Sequence, residues 1–132
     1  MEKPIIEINK KDIIKEAIDI VNSTKNKLFV TTRLTKEETK IGKKYNKALL
    51  NALNRGVKVE RVCFGSSKAY KKYVKFVDKR IIFYCVTQEH LYQRMLLSDD
   101  SILLFRLGSS FYKSKNLLVI QAIKRYIDDV VS

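Results

Sequence analysis

The stretch YQRMLLSDD, residues 92–100, sets an apolar run between charges: Arg94 precedes Met95-Leu96-Leu97, and Asp99-Asp100 follow Ser98. Charge at both ends of a strand that reads as buried costs free energy unless it is paired or used. With SILLFRL (101–107) after it, the stretch reads as a β-hairpin turning at the two acids, and Gly108 breaks the second strand. Upstream, RIIFYCV (80–86), VKVERVCF (57–64) and KLFVTT (27–32) read as buried strands, and PIIEI (4–8) as a short strand or lead-in.

Helical spacing separates these strands. Residues 11–23 place Ile13, Ile14, Ala17, Ile18 and Val21 on one face. Thr35 and Glu38 form a capping-box pattern that opens a helix to about Arg55, with Gly56 placed to stop it. A further helix is predicted over 67–77, and another over 116–131. Strands alternating with helices, followed by a hairpin and a last helix, predict one α/β domain over residues 1–132. Its sheet is expected to be mostly parallel with an added hairpin, and its helices to cover both faces.

The chain is 45% hydrophobic, enough for a core in 132 residues. No apolar run approaches the roughly 20 residues of a membrane helix, and MEKPIIEINK (1–10) carries no secretory pattern. A cytoplasmic protein without a membrane partner is expected. Cys63 and Cys85 lie in strand-like runs with no CxxC, and His90 is the one histidine. They read as buried free thiols, a disulfide staying open should their strands be neighbours, and neither a metal nor a cofactor is expected.

Charge is unevenly placed. The net charge is +13, and residues 24–80 hold 17 of the 27 bases against 4 of the 14 acids, so the excess lies in this middle segment. Lys36, Lys40, Lys43, Lys44 and Lys47 form the outer face of one predicted helix; Lys68, Lys71, Lys72 and Lys75 form that of the next. Should both helices cross on one side of the sheet, the stripes merge into a surface for DNA or RNA; solvated helix faces are the alternative.

The order of elements around residue 92 resembles half of a phospholipase D-like domain. That superfamily carries H-x-K-x-x-x-x-D and a later Gly-Ser. Here Tyr92 stands at the histidine position, Arg94 at the lysine, Asp99 at the aspartate, and Gly108-Ser109 follows, with Phe111 where an Asn is usual. The resemblance implies a degenerate site, because a phenol with an ordinary pKa near 10 is a poor substitute for a nucleophilic imidazole. On a regular strand His90 shares a face with Tyr92 and Arg94 but sits about 6.6 Å away. A phosphodiesterase or nuclease using His90 in an altered geometry is the alternative reading.

RMLLSDDSILLF (94–105) and LLVIQAIKRYIDDVV (117–131) are further similar to the sensor domains of archaeal TrmB-type transcription regulators. That implies a non-catalytic, regulatory binding domain for an anionic or sugar-like effector, and one-motif members imply a homodimer. The crevice of such a sheet lies beyond the C-terminal strand ends. The expected ligand-binding residues are Thr32, Arg33, His90, Tyr92, Arg94, Asp99, Ser109 and Ser110. Gly65-Ser66-Ser67 reads as a helix cap or a phosphate cradle. Asp99-Asp100 reads as a plain turn or as ligands, and Arg94 as a ligand or as the ion-pair partner of a nearby acid.

Overall fold

The structure is a computed structural model that describes residues 3–34 and 43–131. Seven strands form one sheet: β1 (Ile6–Ile8), β2 (Lys27–Arg33), β3 (Lys58–Phe64), β4 (Ile82–Val86), β5 (Met95–Ser98), β6 (Ile102–Leu107) and β7 (Ser110–Ser114). The helices are α1 (Ile13–Ser23), α2 (Lys43–Asn54), α3 (Ser67–Tyr73) and α4 (Leu117–Val131). The strand order is β1-β7-β6-β5-β2-β3-β4.

Only β2·β3 and β3·β4 are parallel; the other four pairings are antiparallel. The expected mostly parallel sheet is therefore corrected to a mostly antiparallel one. The cause is β7, which the sequence reading did not assign. Gly108, at φ 61, starts a two-residue turn that returns the chain along β6, and β1 then adds to the new edge. A parallel crossover needs a helix between its strands; β5, β6 and β7 are joined by tight turns, which permit only antiparallel pairing.

Alternation along β2 sends Leu28 and Val30 to one face and Phe29 to the other, and each face has its own core. The first core joins α1 (Ala17, Ile20, Val21) and α2 (Ala48, Leu49, Ala52) to Val59, Leu96 and Leu104. The second packs Ile120 of α4 on Val62, Phe64, Leu97 and Leu103. Tyr73 of α3 meets Phe83 edge-on at 6.1 Å, and Phe83 packs on the first core, so α3 lies on the same face as α1 and α2. Helices cover both faces, as expected.

Gly56 ends α2 at φ 89. Its N–H donates to Leu53 O and that of Val57 to Ala52 O, a Schellman closure. The capping pattern Thr35/Glu38 lies outside the described residues. α3 stops at Tyr73 rather than at 77, where the Lys79 ammonium takes up the Val74 carbonyl at 2.7 Å. Cys63 and Cys85 stand in register on neighbouring strands and are free. Cys63 is buried, with its thiol pushed up to about 12 by that burial, whereas Cys85 is exposed, against the expectation for it.

Candidate functional site

β5 runs antiparallel to β2, so Arg94, just ahead of β5, lies at the end of the sheet where β2, β3 and β4 finish. Asp99 and Asp100 lie at the opposite end. The two acids occupy the β5–β6 turn at φ 51 and 53, the left-handed pair of a type I′ hairpin. Asp99 accepts hydrogen bonds from the backbone N–H groups of Lys25, Asn26 and Lys27 at 2.8–2.9 Å. Burial acts to raise its carboxyl, but these three donors outweigh burial and hold it below the ordinary carboxylate value. Asp100 pairs with Lys27 at 2.8 Å and Lys124 at 3.2 Å and is lowered likewise, again against burial. Asp99 thus stands at the end of the sheet away from Arg94, where it braces the entry to β2, and among the described residues no ion pair joins the two.

The expectation that His90 shares a strand face with Tyr92 and Arg94 also fails. Glu89–Leu91 is a single 3-10 turn closed by Leu91 N–H to Gln88 O and Tyr92 N–H to Glu89 O, and β5 begins only at Met95. The Tyr126 hydroxyl of α4 holds this turn through the Leu91 carbonyl. His90 is exposed on it. Tyr92 is 9% exposed and stacks edge-on against Phe64 at 5.4 Å, inside the α4-side core.

Arg94 is held by its neighbours. The Thr31 hydroxyl donates to Gln93 O at 2.6 Å and accepts from Met95 N–H at 3.0 Å, and Arg106 N–H donates to Arg94 O at 3.0 Å. With its backbone fixed on both sides, Arg94 sets its guanidinium 5.4 Å from the ring centroid of Phe111, a cation–π contact.

Beside it is a cavity of about 70 Å3, open to solvent, between the sheet and the helices α1 and α2. Its polar groups come from Thr31, Thr32, Tyr45, Arg61 and Arg94, and its walls from Ile13, Ala17, Leu96 and Phe111. Arg61 is 6% exposed. One of its terminal nitrogens donates to the Tyr73 hydroxyl at 2.5 Å, while its Nε has no partner among the described residues. The Thr32 hydroxyl, 2% exposed, has none among them either. Among the described residues, no carboxylate lines the cavity. Burial pushes the Tyr45 phenol above its ordinary value against the pull of Arg61 and Arg94, leaving a neutral hydrogen-bond donor between two cations.

Of the expected ligand residues, Thr32 and Arg94 therefore come together in one cavity. Arg33 ends β2 exposed, and at the same end of the sheet Ser109 lies in the β6–β7 turn and Ser110 opens β7. Gly65-Ser66-Ser67 acts as a cap: Ser66 Oγ accepts from Ala69 N–H at 3.1 Å and Gly65 N–H is bound to Val86 O. A Cβ on Gly65 would sit 2.9 Å from Leu34 Cβ, so close strand packing accounts for the glycine. Arg61 and Tyr45 were missed. The signal for Arg61 was in VKVERVCF, where period-two alternation sets a charge on the face of Val59 and Cys63.

The second candidate surface is basic. Lys43, Lys44 and Lys47 on α2 and Lys68, Lys71 and Lys72 on α3 are exposed, as is Lys75 just beyond it, and both helices cover the same face of the sheet. Among the described residues neither helix contains an acid and none of these seven lysines forms an ion pair. Lys36 and Lys40 lie outside the described residues. Among the described residues no cluster of three or more His, Cys, Asp or Glu could hold a metal, and no helix is long and apolar enough to cross a membrane.

Known structures define the fold. TrmBL2, an archaeal chromatin protein whose structure shows a novel mode of DNA binding, superposes with a TM-score of 0.69 at 12% identity over 98% of this chain. Nuc from Salmonella typhimurium, a phospholipase D family member, does so at 0.68 and 10% over 96%. NucT from Helicobacter pylori does so at 0.63 and 12% over 96%. The chain spans about half of TrmBL2 (52%) but 91% of Nuc and 92% of NucT. No family model and no curated protein matches the sequence. The chain thus has the phospholipase D-like fold that its hairpin motif resembles.

Proposed function

We propose that residues 1–132 form a non-catalytic, regulatory binding domain of the cytoplasm. It contacts DNA or RNA through the lysine face of α2 and α3, holds a small anionic or sugar-like effector at the end of the sheet, and works as a homodimer. The carrying observation is that six exposed lysines of α2 and α3, with Lys75 just beyond α3, project from one face of the sheet, and the described residues of the two helices hold no acid. A polyanion relieves their mutual repulsion and releases counterions, so affinity should fall steeply with salt. The DNA-binding description of TrmBL2, which shares the fold, supports this reading.

The non-catalytic part rests on Tyr92 packed into the core and His90 exposed on a turn ahead of the strand. Anisotropy titrations of short duplex DNA and RNA across a salt series test the nucleic-acid reading. Combined Lys44→Glu, Lys47→Glu and Lys72→Glu should flatten the slope of log affinity against log salt, by roughly 0.9 for each lost phosphate contact; an unchanged slope refutes it. A phosphodiester assay should show no turnover, and turnover abolished by His90→Ala refutes the non-catalytic reading. Light scattering should report twice the chain mass.

A further inference from the structure

We infer that the cavity between the sheet and the helices α1 and α2 is a binding site for a small phosphate-type oxyanion, held by Arg61 and Arg94 with Thr32 and Tyr45. This rests on the effector half of the proposed function and assigns that effector a chemistry.

Burial is the first ground. Arg61 is 6% exposed, and a buried guanidinium needs partners for its fork of donors and a counter-charge. A lysine in such a place can shed its proton, but an arginine keeps its charge. Two neutral phenols, Tyr73 and Tyr45, are its hydrogen-bonding neighbours, and neither supplies a counter-charge.

Orphaned polar atoms are the second. Arg61 Nε and Thr32 Oγ1 are both buried, both without a partner among the described residues, and both in residues lining one cavity. Native structures leave few such groups, so two in one cavity mark a place where an external partner completes the set.

Composition is the third. Arg94 adds a second guanidinium, positioned by Thr31 and Phe111, and Tyr45 adds a neutral hydroxyl. Two positive charges without a lining carboxylate among the described residues match a dianion better than a monoanion. Guanidinium forks match the oxygens of a phosphate.

The test is thermal unfolding of the full chain at fixed ionic strength with inorganic phosphate, acetate or maltose, in the wild type and three variants. Phosphate should raise the melting temperature saturably, with acetate and maltose inactive at equal concentration. Arg61→Met should weaken the apparent phosphate affinity by roughly tenfold or more, the loss expected for a hydrogen bond to a charged group. Thr32→Val, nearly isosteric, should weaken it severalfold and carries the test should Arg61→Met not fold. The combined lysine reversal should leave the phosphate response intact.

A saturable response to maltose alone overturns the oxyanion assignment while the effector reading stands. No response to any probe overturns both. A phosphate response kept in Arg61→Met and Thr32→Val, or lost in the lysine reversal, places the anion on the surface and overturns the inference.

Discussion

The two ends of the sheet handle charge in opposite ways. At the β5–β6 turn, Asp99 takes three backbone N–H groups and Asp100 takes two lysines, so each acid finds its partners within the fold. At the other end Arg61 and Arg94 face a cavity without a lining carboxylate among the described residues, beside a threonine hydroxyl with no partner. Two adjacent aspartates, read from the sequence as a plain turn or as ligands, form the turn. A charge inside a strand, Arg61, to which the sequence reading gave no role, belongs to the candidate site. Charge marks function where the fold leaves it uncompensated.

Several substitutions break or sharpen this contrast. The largest effect is expected at Tyr92, packed on Phe64 as core. Tyr92→Ala should cost about 3 kcal/mol in urea unfolding; a loss near zero would return Tyr92 to the list of exposed ligand residues. Asp99→Ala should cost about 1 kcal/mol by removing the acceptor of the three N–H groups of Lys25, Asn26 and Lys27, which water then takes up in part.

Acid sensitivity follows from the same acids. The carboxyls of Asp99 and Asp100 are lowered in the folded state, so their contribution is fully present above the ordinary carboxylate value near 4 and is lost as pH falls through the folded values. Asp99→Asn should lower stability near neutrality, where the carboxylate's contribution is fully present, and flatten the stability-versus-pH curve in that acid window. The smallest effect on stability belongs to the lysine face. Lys44→Glu, Lys47→Glu and Lys72→Glu should each change it by no more than about 0.5 kcal/mol, while together reducing the salt dependence of DNA binding. A large loss of stability would show these lysines serving the fold.

Much of this was legible in the sequence. Helical spacing in α1, α2 and α4, alternation in β2 and β3, Gly56 as the stop of α2 and the Asp99-Asp100 turn all rest on local rules, and local rules survived packing. β7 was missed, although Gly108-Ser109 between an apolar strand and the aromatic SFYKS is itself a hairpin signal. Missing it made the sheet look mostly parallel. The 3-10 turn at Glu89–Leu91 was not legible, because it depends on Tyr126 reaching Leu91 from α4, a contact far along the chain. The cavity was half legible: Thr32 and Arg94 sit at strand ends where ligands are expected, whereas Tyr45 falls at helical spacing with Ala48, Leu49 and Ala52 and so shares the apolar face of α2.

The central claim is that the acids at one end are satisfied within the fold and the arginines at the other end are not. Urea unfolding of Asp99→Ala and Arg61→Met, side by side in phosphate-free buffer, tests it most directly. Removing a satisfied acid should lower the midpoint, and replacing an uncompensated buried cation with an apolar side chain of similar length should raise it, by about 1 kcal/mol or more. If Arg61→Met instead lowers the midpoint as Asp99→Ala does, Arg61 is already satisfied by the fold and the contrast between the two ends is lost.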